Sequence, residues 1–324
     1  MTRRPMAEFR RPTRGPIRGI HHITGLVGSA ANDLRFYRDV LGLRLVKKTC
    51  NQENPTSGWH FFFGDRLGHP GTIMTNIVLE GIPMSPAVDG RGSITDVSYS
   101  VSPGSLDFWR ERLTAAGCAC TERPVRFGDP VLHFRDFDGI SSELVGCEDA
   151  RMPDLADLPA EHQIRGFHHA TVAPRIPELT LQFLVGVLGF EVVATEGSRT
   201  RLAVGGNEPG KLIDVVERGD GPWGRHGLGG LHHIALTVDS VEDMERWTRI
   251  LAGAGLIVTG ARDRGWFHST YFTAPGGINL ELSNLDPGWT VDEDIDSLGA
   301  ILSLPKHLEP QREAIEAALP RVEF

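Results

Sequence analysis

A chain of 324 residues with 40% hydrophobic content can fill two ordinary cores, which excludes disorder as the state of most of it. Its 33 basic against 42 acidic side chains leave a net charge of −9, which argues against a nucleic acid partner, since phosphate binding draws on basic surface and counterion release. No long apolar run marks a signal peptide or membrane anchor, and Cys50, Cys118, Cys120 and Cys147 lack the spacing of a metal knuckle or disulfide framework, so a soluble, cytoplasmic protein with reduced thiols is expected.

The chain opens on a leader, residues 1–18, with Arg3, Arg4, Arg10, Arg11, Arg14 and Arg18 among prolines; it reads as a disordered, solvated basic tail. A first unit follows. Gly-Ile-His-His-Ile-Thr at 19–24 has strand alternation, 32–41 has helical periodicity, and Gly42 stands where a helix ends in the left-handed conformation that glycine adopts without a Cβ clash. Short β-rich runs then pass through the aromatic stretch Trp59, His60, Phe61, Phe62 and Phe63 to a last strand at 72–79.

The same order recurs three times. The second unit starts at Gly-Ser-Ile-Thr-Asp-Val (92–97), with a helix at 105–116, Gly117 and a last strand at 140–145; the third at Gly-Phe-His-His-Ala-Thr (166–171), with 178–188, Gly189 and 211–217; the fourth at Gly-Leu-His-His-Ile-Ala (230–235), with 241–254, Gly255 and 278–283. Pro124, residues 148–159 and the glycine-rich 220–229 read as connectors. The expected organisation is modules one and two over 19–150, modules three and four over 160–285, and a tail over 286–324. That tail holds an acidic turn, Asp292 to Asp296, and a terminal helix at 310–319 that suits packing or a homo-oligomer contact.

A unit of one strand, one helix and three strands cannot cover its own sheet. An α+β fold is therefore expected, in which four βαβββ modules pair into two half-open barrels with helices outside.

Aligned on their leading glycines, the modules expose two recurring positions: His22 with Thr75, Thr95 with Glu143, His169 with Asp214, and His233 with Glu281. Strand side chains alternate faces, so one histidine of each His-His pair points inward, and the alignment selects the second. If modules one and four share a barrel, the site is His22, His233 and Glu281, two imidazoles and a carboxylate of the kind that leave coordination positions open on non-haem Fe(II). If modules three and four share one, it is His169, Asp214, His233 and Glu281, four ligands suited to a Lewis-acid isomerase. The residues alone leave both open.

The repeat resembles the vicinal oxygen chelate superfamily, which includes glyoxalase I, extradiol dioxygenases and antibiotic-resistance binding proteins. Within it the chain is similar to the hydroquinone and 2,6-dichlorohydroquinone ring-cleaving dioxygenases. The carrying segments are Leu-Gly-Leu-Arg-Leu-Val-Lys-Lys at 41–48, His-Pro-Gly-Thr-Ile-Met-Thr at 69–75, Asp-Arg-Gly-Trp-Phe-His-Ser-Thr-Tyr at 263–271, Pro-Gly-Gly-Ile-Asn-Leu-Glu at 275–281, and Asp-Glu-Asp at 292–294 before Ser-Leu-Gly at 297–299.

This resemblance implies an Fe(II) enzyme, with Mn(II) or another divalent ion as the alternative, that degrades a hydroquinone-type or catechol-type aromatic compound with O2. It implies His22, His233 and Glu281 as metal ligands, Tyr271 and Arg264 facing the substrate, and Thr24, His21 and His232 around the ligands. Trp266 and His268 stand where the family commonly has tyrosine and glutamate, which implies a differently shaped and charged ring pocket. His169, Glu143 and Asp214 read as a vestige or a weak second site. The rival functions are a glyoxalase I-like metal-dependent isomerase or lyase and a metal-free small-molecule-binding resistance protein.

Overall fold

Alternating apolar residues and glycine stops produce the same unit four times, and the computed structural model describes it over residues 15–155 and 157–324. The leader arginines at 3, 4, 10, 11 and 14 lie outside the described residues; Arg18 is described and pairs with Asp239 at 2.8 Å. Unit one comprises β1 (Ile20–Val27), β2 (Arg44–Cys50), β3 (Trp59–Gly64) and β4 (Ile73–Val78); unit two, β5 (Ser93–Val101), β6 (Thr121–Arg126), β7 (Asp129–Arg135) and β8 (Ser141–Gly146). Unit three comprises β9 (Gly166–Ala173), β10 (Glu191–Glu196), β11 (Arg199–Ala203) and β12 (Leu212–Val216); unit four, β13 (Gly230–Thr237), β14 (Arg262–Asp263), β15 (His268–Ala274) and β16 (Ile278–Asn284).

Each first strand is followed by a helix: α1 (Ala30–Leu34), α2 (Leu106–Ala115), α3 (Pro177–Phe183) and α4 (Val241–Gly253), with α1 and α3 each loosening into a π-helical last turn. Gly42, Gly117, Gly189 and Gly255 follow with φ of 70°, 90°, 83° and 86°, the left-handed stop expected of them. Helix α4 shows why these segments fold on the sheets: Met244, Trp247 and Leu251 recur at helical spacing and are buried. Burial of each such side chain contributes about 1.5–3 kcal/mol relative to exposure.

Two mixed sheets result, ordered β14-β15-β16-β13-β1-β4-β3-β2 and β10-β11-β12-β9-β5-β8-β7-β6. Unit one therefore shares a half-barrel with unit four, joined by antiparallel β1 and β13, and unit two shares the other with unit three through antiparallel β5 and β9. The alternative pairing of units three and four is excluded. A single apolar core links the half-barrels, with Ile23, Tyr37 and Phe63 of one buried beside Val97, Tyr99 and Phe134 of the other.

Three readings of connecting and tail segments change. Pro124 is not a connector but lies within β6, an outermost strand with a register shift, where a missing N–H costs no ladder bond. The acidic turn is not simply solvated: Asp292 and Glu293 receive the fully buried Lys47 ammonium at 2.6 and 2.5 Å, which clamps the tail onto β2. The terminal helix α5 (Arg312–Ala318) spends its apolar face internally, with Ile315 buried in the chain's own core. Among the described residues, no helix is long and apolar enough to cross a membrane.

Candidate metal centre

Strand register decides which side chains meet. Antiparallel β1 and β13 set Thr24 opposite His233, and parallel β13 and β16 set Ala235 opposite Glu281. With side chains alternating across the sheet, His22, Thr24, His233 and Glu281 all face the concave side. The two Nε2 atoms lie 3.3 Å apart, and Glu281 Oε2 lies 2.8 Å from that of His233 and 3.4 Å from that of His22. All three side chains are buried, and among the described residues they form the one group of three such ligands converging within 4.8 Å.

The second carboxylate oxygen is held by the Ser283 hydroxyl, which donates to Glu281 Oε1 at 2.5 Å. Glu281 Oε2 is fully buried and makes no hydrogen bond of acceptable geometry, although two ring nitrogens are in reach. One oxygen without a hydrogen bond and two ring nitrogens thus converge on a shared space. Burial pushes the Glu281 carboxyl up, but His22 and His233 outweigh it and hold the acid well below the ordinary range. Burial lowers His233, against the pull of Glu281. A carboxylate and two imidazoles are the donor set a divalent cation takes, so these residues fit a metal.

The partner histidines supply orientation. His21 and His22 bring their Nδ1 atoms to 2.9 Å, and His232 and His233 bring theirs to 2.7 Å. One nitrogen of each pair must donate; were Nε2 to take a ligand role, His22 and His233 would carry their protons on Nδ1 and donate outward. His21 and His232 accept, and burial drives both down to about 3, so they stay neutral acceptors. The Thr24 hydroxyl lies 2.8 Å from His233 Nε2 and 3.2 Å from Thr75 Oγ1, which in turn lies 2.7 Å from His60 Nε2.

Tyr271 stands directly opposite Glu281 across β15 and β16, its ring 5.6 Å from that of His233. Arg264 and Ser269 donate to its hydroxyl oxygen at 2.9 and 3.1 Å. Burial and Glu281 raise the phenol above its ordinary range, so it keeps its proton. With its lone pairs occupied, that O–H is free to donate into the cavity.

The cavity measures about 690 Å³ and reaches His22, Thr24, His232, His233, Arg264 and Tyr271; His60 and Phe62 line it from β3. Trp59, Phe61 and Phe63, alternating with them, pack into the apolar core. Trp266 and His268 do not border it: Trp266 is buried against the tail and donates to Asp292, and His268 turns toward the Asp286 carbonyl. Their expected effect on the ring pocket is therefore not direct. The cavity wall between them is Phe267, 5.6 Å from the His22 ring. Sequence reading also missed Asn51, Gln52 and Glu53 from the β2–β3 loop and Leu256 and Ile257 after α4, which line the cavity. These are loop residues, and only closure of the half-barrel brings them to the site.

The second half-barrel carries a different solution at matching positions. Arg201 stands opposite Asp214, as Tyr271 stands opposite Glu281, and Ser98 opposite His169, as Thr24 opposite His233. Asp96, not Thr95, occupies the register of His22: both strands bulge just before that residue, but Ile94 lies two residues after Gly92 where Ile20 lies one after Gly19. Asp214 receives Arg199 at 2.9 Å and Arg201 at 2.8 and 3.0 Å, while Arg126 reaches both oxygens of Glu143 at 2.7 Å. Guanidinium groups take the carboxylates that a cation would need, so His169, Glu143 and Asp214 form an ion-pair network.

Comparisons agree with this architecture. The family model described as Glyoxalase/Bleomycin resistance protein/Dioxygenase superfamily matches residues 19–144 and 166–282. MhqA of Bacillus subtilis (strain 168), provisionally named a ring-cleaving dioxygenase, is 35% identical over 95% of this chain and 99% of its own. Chlorohydroquinone/hydroquinone 1,2-dioxygenase of Sphingobium indicum is 30% identical over 92% of this chain and 95% of its own. A crystal structure of a Bacillus subtilis protein, provisionally named a dioxygenase, superposes with a TM-score of 0.90 at 35% identity, covering 95% of this chain and 98% of that one. Repeat, register and likeness together establish that the chain belongs to the Glyoxalase/Bleomycin resistance protein/Dioxygenase superfamily.

Proposed function

We propose that this chain is a ring-cleaving dioxygenase that acts on a hydroquinone-type aromatic with O2, using Fe(II) held by His22, His233 and Glu281. The observation that carries the reading is the convergence of two buried imidazoles and a carboxylate oxygen without a hydrogen bond. It is supported by relatives over nearly the whole chain, one provisionally named a ring-cleaving dioxygenase and another named a chlorohydroquinone/hydroquinone 1,2-dioxygenase.

A divalent ion held by this donor set would keep a net charge of about +1 and would supply Lewis acidity toward a phenol oxygen and reactivity with O2. The chain's own groups do the rest. His21 and His232 fix the ligand tautomers. Phe62 and Phe267 flank the space a planar ring would occupy and keep it apolar. The Tyr271 hydroxyl is a donor for the oxygen that develops negative charge, and Arg264 holds Tyr271 in place while adding a positive charge beside it. Thr24, whose hydroxyl lies against His233 Nε2, would be free to donate to a substrate oxygen with that nitrogen holding a metal.

The test is oxygen uptake by protein loaded anaerobically with Fe(II), with hydroquinones and catechols offered in parallel and Mn(II) as the comparison metal. Anaerobic turnover of a hemithioacetal with Ni(II) or Zn(II), and no oxygen uptake, would instead make the protein a glyoxalase-type isomerase. Purification without stoichiometric metal, and no gain on loading, would favour a resistance protein that only binds its ligand. A cytoplasmic site and a homo-oligomeric state belong to the same proposal, the latter checked by mass in solution.

A further inference from the structure

The cavity does not stop at the ring. On three strands the register sets a cavity-lining residue two positions past the centre in the same direction: Ile77 past Thr75 on β4, Asn279 past Glu281 on β16, and Thr273 past Tyr271 on β15. Two residues of strand advance about 7 Å. The polar atoms there are already used within the wall: Thr273 donates to Asn279 Oδ1 at 3.0 Å, and Asn279 Nδ2 donates to the His232 carbonyl at 3.4 Å. Leu256 and Ile257 complete that end, and Ile257 is 94% exposed, an apolar side chain left in water at the cavity's edge.

Size points the same way. Sites of about 300–1,000 Å³ enclose drug-sized ligands. At about 690 Å³ this one leaves most of its space empty around a bare hydroquinone. At the mouth Arg262 and Arg264 share the one Glu53 carboxylate, at 2.5 and 3.0 Å, which leaves a surplus positive charge there, whereas Ile77, Leu256 and Ile257 offer an acidic substituent no partner.

We infer that the preferred substrate is a hydroquinone bearing an apolar side chain, which lies along Ile77, Leu256 and Ile257. With carbon–carbon bonds of about 1.5 Å, the extra length suits a chain of about five carbons. The inference rests on the ring-cleaving reading and names its substrate class.

The experiment compares hydroquinone with its methyl, butyl, hexyl and carboxybutyl derivatives in two measurements. Oxygen uptake by the Fe(II)-loaded enzyme gives kcat/KM, and calorimetry on the metal-free protein gives dissociation constants. Both should improve about two- to fourfold per methylene up to about five carbons, the upper figure being full burial of each CH₂. Ile77→Trp, which fills the far end, should cut the hexyl-to-methyl ratio at least tenfold. A flat or falling series with intact oxygen uptake would overturn the inference alone, as would a preference for the carboxybutyl compound. A rising binding series with no oxygen uptake from any of them would instead remove the dioxygenase reading while leaving the apolar arm in place.

Discussion

His22 and His233 are 211 residues apart in the chain, yet their Nε2 atoms approach to 3.3 Å. The contact exists because the first strands of units one and four pair antiparallel, so the centre forms only when both ends of the fold are in place. Stability of that seam and competence of the site are thereby one property.

Removing a ligand should remove the metal. His22→Ala, His233→Ala and Glu281→Ala are expected to purify without stoichiometric iron after anaerobic loading and to consume no oxygen. His169→Ala should keep both, since its surroundings are closed by arginines. Iron content by atomic absorption decides the matter, and iron lost from His169→Ala alone would move the site to the other half-barrel. His21→Ala, which leaves the ligands intact but removes the acceptor for His22 Nδ1, is expected to weaken metal binding by about 10–100-fold.

Tyr271→Phe separates binding from turnover. Its hydroxyl contacts Arg264 and Ser269 and no ligand atom, so iron content should stay at wild-type level. Loss of a positioned donor to a developing charge is expected to lower kcat by about 10²-fold with a much smaller change in KM. An unchanged kcat would confine Tyr271 to packing.

Lys47 tests the tail clamp. Its ammonium is fully buried between Asp292 and Glu293 with the Trp289 carbonyl at 3.2 Å. Lys47→Ala strands a buried carboxylate and should cost about 3–5 kcal/mol in urea unfolding. Lys47→Met combined with Glu293→Leu removes both charges and should recover most of that loss.

Asp136 gives a pH signature away from the metal. Burial pushes its carboxyl up to about 6, against the hydrogen bonds from the Ile140 N–H and the Tyr37 hydroxyl. A raised folded-state value means that the contribution is fully present below the unfolded value of about 3.8 and is lost as pH rises through 6. From pH 4 to pH 7 the stability difference should therefore move in favour of Asp136→Asn over wild type by about 2–3 kcal/mol, read from urea midpoints at each pH.

Much of the fold was legible because each unit announces itself locally. A glycine-led strand, a helical period and a second glycine are signals within about 25 residues of one another, and all four glycine stops have the expected φ. Barrel pairing was not legible from pattern, since nothing in Gly19–Thr24 or Gly230–Ala235 says which sheet edge each will meet; family resemblance supplied it. Lys47 reads as an ordinary exposed strand lysine until a segment about 245 residues later covers it. Asp96 was missed because Gly19 and Gly92 are not equivalent in register, so counting from them is off by one in unit two. The triad residues were found by recurrence, whereas Glu53, Leu256 and Ile257 carry no recurring signal and face the cavity only through loop closure.

Arg201 opposite Asp214 has a further consequence. A guanidinium is tethered to its backbone and cannot be stripped by a chelator or lost to dilution. That half of the molecule carries a permanent internal counterion and owes nothing to the supply of a metal ion. It can therefore hold the shared apolar core in place whatever the state of the other half, so that protein stripped of a metal is expected to be restored by adding it rather than by refolding.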